Sequence, residues 1–162
     1  MTRSASDPDA VTVAETGVGK FQVEVLAGGA TFLADEPVEA GGLDSGPNPY
    51  DLLAAALGAC TSMTLRLYAG RKAWPLARTT VRVLHTRTAQ GRDRFAREIT
   101  LEGSLSDEQR RRLMEIAERC PVHRTLENGS DIITVLASPP DLSARERSGV
   151  GHLAAMTEAC ED

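Results

Sequence analysis

Apolar and polar positions alternate in short runs over the first 35 residues. Val11 and Val13, then Phe21, Val23 and Val25, then Thr31 and Leu33, are set apart by Gly17-Val18-Gly19 and Gly28-Gly29. Period-two alternation broken by glycine pairs predicts a small antiparallel meander at about residues 11–16, 20–27 and 30–35. Residues 36–47 hold two prolines, glycines and no periodicity, and read as a loop. The pattern then changes. Asn48 is a favoured N-cap, Pro49 fits the first helical position, and Asp51 complements the helix dipole, so a helix opens there and runs to Arg71. Leu53, Leu57, Cys60, Thr64 and Leu67 follow one face, with Leu52, Ala56, Ala59 and Met63 beside them. A helix apolar almost all round belongs at the centre of a core.

Beyond Trp74-Pro75 the alternation resumes. Residues 79–88 and 95–105 predict a long hairpin about Gln90-Gly91, with Ile99 and Leu101 on one face. Ser106 to Gln109 matches a capping box, so a second helix starts there. Its stripe of Leu113, Ile116, Ala117 and Cys120 turns inward, and Arg110, Arg111, Arg112, Glu115, Glu118 and Arg119 stay in solvent. Pro121 opens a short helical turn that Asn128-Gly129 closes, and residues 131–136 (DIITVL) read as a final strand. The expected fold class is therefore α+β, antiparallel sheets around two long central helices. Residues 1–10 are expected to be a disordered segment, 11–137 one domain, and 138–162 a loosely attached C-terminal tail.

Composition narrows the function. A net charge of −5 argues against nucleic-acid binding, which rests on clustered Lys and Arg. The longest uncharged stretch, residues 52–65, falls short of the ~20 residues of a membrane span, and residues 1–10 lack the apolar segment of a signal peptide. No membrane partner and a cytoplasmic location are expected. Cys60, Cys120 and Cys160 are too few for the disulfide framework of a small secreted domain, and read as thiols. Cys60 and Cys120 both lie on inward stripes. Two such cysteines are compatible with plain packing, or with redox chemistry in which one thiolate is oxidised to a sulfenic acid and the other captures it.

The segment GPNPYDLLAAALGACTSMTL (residues 46–65), followed by AERCPVHRTL (residues 117–126), resembles the OsmC/Ohr family. The combination carries the resemblance: an Asn-Pro opening, an alanine-rich helix with a cysteine ten residues after Tyr50, and a Cys-Pro-Val at the end of a second helix. It implies an OsmC-like fold in an intertwined homodimer whose subunits exchange strands, with two sites at the interface. It also implies a thiol-dependent peroxidase for organic hydroperoxides or hydrogen peroxide, serving oxidative-stress defence. Cys60 would attack the peroxide and Cys120 would resolve it as a disulfide. No bound cofactor is implied, only an external dithiol reductant.

Two features depart from the family pattern. Its peroxidases place an acid directly after the Asn-Pro pair, where this chain has Tyr50 and brings Asp51 one residue later, a 100° rotation on a helix. They also use an arginine of the N-terminal half, yet no Lys or Arg lies between Lys20 and Arg66. A buried, uncompensated thiol has its pKa raised. A cation from the C-terminal half is thus expected, with His123 and Arg124, three and four residues after Cys120, as the candidates. Tyr50 and Asp51 are candidate pocket residues.

Other readings stay open. Cys120 and His123 have C-x-x-H spacing, but His85 and His152 bear no spacing relation that would complete a zinc site. A non-peroxidase protein binding a small apolar or thiol-bearing ligand in the dimer-interface pocket is the main alternative. Cys160 is expected to be a bystander.

Overall fold

The computed structural model describes residues 10–136 and 151–161. The expected states of residues 1–9 and 137–150 lie outside the described residues. The chain divides into two compact units, residues 1–53 and 54–162.

In the first unit, β1 (Thr12–Glu15), β2 (Val23–Ala27) and β3 (Ala30–Ala34) form the expected antiparallel meander in the order β1-β2-β3. Its register pairs Val13 with Val25 and Val25 with Phe32. The loop that follows is organised about Asp35, which is buried. Burial opposes the charge of its carboxyl, but the Ser45 hydroxyl and the N–H groups of Glu36, Leu43 and Ser45 outweigh it and hold the group below its usual range. Gly42 makes that tight loop possible, since a Cβ there would lie 1.8 Å from the Glu36 carbonyl oxygen.

Helix α1 (Pro49–Arg71) has the predicted bounds. Its start is capped reciprocally: Asn48 Oδ1 accepts from the Tyr50 and Asp51 N–H groups, and Asp51 Oδ2 accepts from the Asn48 N–H. At 23 residues α1 is long and apolar enough to cross a membrane by length and composition. It is instead a core helix on one side, burying Leu57, Cys60, Thr61, Thr64, Leu65, Tyr68 and Ala69. Its opposite stripe of Ala55, Ala56, Ala59 and Met63 is exposed in this chain.

The second unit is built on the antiparallel pair β4 (Leu76–Arg87) and β5 (Asp93–Gly103). Alternation turns Val81, Val83 and His85 of β4 to one face, together with Phe95, Arg97, Ile99 and Leu101 of β5. Val83 pairs with Arg97 across the ladder. Gly58 lets α1 approach this face, because a Cβ there would already lie 3.4 Å from Val83 Cγ2. Helix α2 (Asp107–Ala117) begins with the predicted capping box of Ser106 and Gln109. Leu113, Ile116 and Ala117 are fully buried and join Leu65, Tyr68, Leu76 and Leu105 in the main core cluster. Helix α3 (Pro121–Asn128) follows with Cys120 as N-cap and Pro121 at its first position.

Two expectations are corrected here. Residues 131–136 form no strand, and no ladder partner for them exists among the described residues; Ile132, Ile133, Val135 and Leu136 are at least 79% exposed. Residues 151–161 are not loosely attached, because helix α4 (His152–Ala159) buries Met156, Ala159 and the adjoining Cys160. Cys160 belongs to the main core cluster, its sulfur 3.8 Å from the Thr64 carbonyl oxygen. A short helix is marginal alone and takes its stability from such packing.

Candidate active site

Cys60 lies mid-way along α1 and Cys120 caps α3, and the two sulfurs meet at 2.7 Å. That is beyond the roughly 2.05 Å of a disulfide bond, and both thiols are free. With Leu57 they form a small buried cluster, packed about by Val83, Phe95, Val122 and Leu126. Cys120 is wholly buried and Cys60 is 2% exposed. Two thiols this close in an apolar shell titrate as a unit. The hydrogen bond from Cys60 lowers the Cys120 thiol to about 6, assisted by the N–H groups of His123 and Val122 at the start of α3 and by the Thr61 hydroxyl, all against burial. The same hydrogen bond, followed by burial, pushes the Cys60 thiol up, although the Val122 N–H and the Thr64 hydroxyl work the other way. The pair therefore sheds one proton readily and holds the other on Cys60. The first turn of a helix, with its unpaired N–H groups, is where a thiolate is stabilised.

The guanidinium packed beside the pair belongs to Arg97, on the inward row of β5. Its side chain is only 9% exposed. Nη1 donates to Thr61 Oγ1 at 2.8 Å and to the Ala117 carbonyl at 3.0 Å. Nη2 donates to Glu118 Oε1 at 3.0 Å and stands 2.7 Å from His123 Nδ1. Thr61, fully buried, lies within 3.8 Å of Cys120 Sγ and 2.7 Å of the Leu57 carbonyl. Arg97 is thus linked to the Cys120 sulfur through the Thr61 hydroxyl.

Of the residues singled out in the sequence, the structure brings together Cys60, Cys120 and, at one remove, His123. The His123 imidazole faces Arg97, with Nε2 at 3.5 Å from Glu118 and 3.4 Å from Glu127. Arg124 is exposed, and its N–H closes the first turn of α3 on the Cys120 carbonyl. Tyr50 and Asp51 occupy the first turn of α1, where Asp51 completes the cap.

Sequence reasoning missed Arg97, Thr61 and His152. Arg97 carried a signal, an arginine in register with Phe95, Ile99 and Leu101 on the buried face of a strand. His152 Nε2 lies 3.2 Å from Cys60 Sγ. Its signal was the stripe of His152, Met156, Ala159 and Cys160 at helical spacing.

A cavity of about 360 Å³ lies against the shell of the pair, and neither cysteine is among its lining residues. It shares Leu57, Phe95 and Leu126 with the shell of the two sulfurs, and Arg97, His123 and Glu127 line it as well. The arrangement combines a buried dithiol with a guanidinium linked to Cys120 through Thr61.

Residues 42–135 match the family model described as OsmC-like protein. No curated protein matches the chain in sequence. Among solved structures, an organic hydroperoxide resistance protein from Elizabethkingia anophelis is 26% identical at a TM-score of 0.55, over 73% of this chain and 87% of that one. An organic hydroperoxide resistance protein OsmC from Legionella pneumophila is 24% identical at a TM-score of 0.55, over 72% and 87%. An OsmC like protein from Mycoplasma pneumoniae is 18% identical at a TM-score of 0.61, over 78% and 89%. With a family model spanning both cysteine-bearing segments and the same fold in these structures, the chain belongs to the OsmC-like protein family.

Proposed function

We propose that this chain is a thiol-dependent peroxidase that reduces organic hydroperoxides or hydrogen peroxide in defence against oxidative stress, cycling Cys60 and Cys120 between dithiol and disulfide. The observation that carries this reading is the 2.7 Å approach of the two buried sulfurs. Packing alone does not require two thiols to share a proton. The names of the solved relatives, organic hydroperoxide resistance proteins, point the same way.

In the proposed cycle a Cys60 sulfur attacks the terminal oxygen of the hydroperoxide, the O–O bond breaks, and an alcohol leaves. The sulfur has given two electrons and stands as a sulfenic acid. Cys120, already a thiolate, attacks that sulfur; the S–S bond forms and hydroxide departs, taking a proton from solvent as water. An external dithiol then restores both thiols by exchange. The chemistry belongs in a reducing compartment such as the cytoplasm.

The active form in this proposal is a homodimer. Support comes from two apolar surfaces that one chain leaves open, the α1 stripe of Ala55, Ala56, Ala59 and Met63 and the extended segment 131–136. The latter has strand sequence without a ladder partner among the described residues, as expected of a strand lent to a second copy.

Titration of free thiols before and after one equivalent of cumene hydroperoxide tests the reading. Loss of two thiols per chain, mapped by mass to a Cys60–Cys120 link, is expected. An unchanged thiol count with tight retention of the hydroperoxide would instead favour a ligand-binding protein.

A further inference from the structure

Helix α4 lies outside the residues matched to the family model. Its buried stripe is Met156, Ala159 and Cys160. Cys160 is seated on Thr64 of α1, and Arg71 Nη1 ties the Thr157 carbonyl at 3.2 Å. These contacts fix the C-terminal half of α4 against α1. His152 starts the helix four residues before Met156, on the same stripe, and so is carried to Cys60, one turn before Thr64 on α1. Its Nε2 stands 3.2 Å from Cys60 Sγ.

The position matters because the proton that remains on the pair rests on Cys60. A thiol is a poor nucleophile, so Cys60 must lose that proton as it reacts. Cys120 does not serve as acceptor once it is needed as the resolving thiolate. The Val122 N–H at 3.4 Å from Cys60 Sγ is a donor, which stabilises the sulfur anion but takes no proton. An imidazole nitrogen at hydrogen-bond distance does.

We infer that His152 is the acid–base partner of Cys60: Nε2 takes the Cys60 proton as the sulfur attacks, and returns it to the oxygen that leaves. This rests on the peroxidase reading for its second half only. The neutral imidazole accepts the proton while the S–O bond forms and the O–O bond breaks. The imidazolium then protonates the departing alkoxide, giving the alcohol and a neutral histidine. No charge is left behind, and no further reactant is needed.

The test uses the full-length, reduced protein with His152→Gln and His152→Ala, two readouts being taken on each. One is the single-turnover rate with cumene hydroperoxide; the other is alkylation of Cys60 by iodoacetamide near neutral pH, mapped by mass. His152 is exposed and the α4 stripe below it is untouched, so melting temperatures serve to show that the fold persists. Loss of a positioned acid–base group is expected to slow peroxide reduction on the order of 10²-fold and alkylation about tenfold, with added imidazole restoring part of both rates in His152→Ala. Rates within about twofold of wild type, or a loss that imidazole does not relieve, would overturn the inference. If alkylation responds to His152 and to imidazole while the wild-type protein reduces no hydroperoxide, the pairing of His152 with Cys60 stands and the peroxidase reading falls.

Discussion

Arg97 Nη1 donates to Thr61 Oγ1 at 2.8 Å, and that hydroxyl lies 3.8 Å from Cys120 Sγ. Because the hydroxyl oxygen accepts from Arg97, its one proton is free to turn to the Leu57 carbonyl or to the sulfur. When Cys120 is a thiolate, the sulfur is the stronger acceptor. A guanidinium two bonds of this chain away thereby favours the anion without touching it.

Arg97→Met is expected to raise the pH at which the pair first ionises, since Thr61 loses the donor that orients it. It also removes the hydrogen bonds to Glu118, His123 and the Ala117 carbonyl, at a cost of about 1–3 kcal/mol. Ultraviolet thiolate absorbance against pH reads the first effect and urea unfolding the second. An unchanged ionisation midpoint would remove Arg97 from the site and leave it a purely structural residue.

The reduced pair gives stability its own pH dependence. The Cys120 thiol falls from an ordinary value of 9.0 to about 6 in the folded chain, so its contribution is fully present above 9.0 and is lost as pH falls through about 6. The Cys60 thiol is raised above 9.0, so its contribution is present below that value and lost at higher pH. Their sum makes the reduced protein gain stability from about pH 6 to 9, by an amount on the order of 4 kcal/mol, and lose it beyond. Unfolding of reduced wild type against the Cys60→Ser/Cys120→Ser double variant isolates this term; parallel pH profiles would deny the shared proton.

Much of this fold is legible in the residues. The cap at Asn48 and Asp51, the capping box at Ser106 and Gln109, and the inward placement of Cys60 and Cys120 all follow from local spacing, and local spacing is what a single sequence exposes. Arg97 is different. Its place on the buried row of β5 follows from the alternation of Phe95, Ile99 and Leu101, but its partners come from α1, α2 and α3, which only the fold assembles. Arg124 looked better placed by sequence distance, yet α3 turns it to solvent. His152 and Cys160 are tied to Cys60 and Thr64 by tertiary packing of an eight-residue helix with little intrinsic signal. Residues 131–136 carry a strand pattern that nothing in the described chain pairs.

Cys160 is predicted to stay out of the redox cycle. It is 5% exposed and sits among Leu65, Tyr68 and Ala69, away from solvent. Mild oxidation should yield the Cys60–Cys120 link with Cys160 still free by mass mapping. A dominant link through Cys160 would mean that α4 rearranges during turnover.

Replacing Ile132 and Ile133 by Ser is expected to weaken the proposed dimer without unfolding the chain, because both side chains are 88% exposed. Sedimentation velocity should show wild type as a dimer at micromolar concentration and the variant shifted toward monomer. A wild-type monomer would refute strand exchange and leave the open α1 stripe without a partner.

Consumption of cumene hydroperoxide by the reduced protein, supplied with excess dithiol and compared with Cys60→Ser and Cys120→Ser, tests the peroxidase reading most directly. Wild type should turn over repeatedly, Cys60→Ser should fall to the uncatalysed rate, and Cys120→Ser should form a sulfenic acid at Cys60 that overoxidises. Wild-type consumption no faster than that of Cys60→Ser, with hydrogen peroxide giving the same result, would contradict the account.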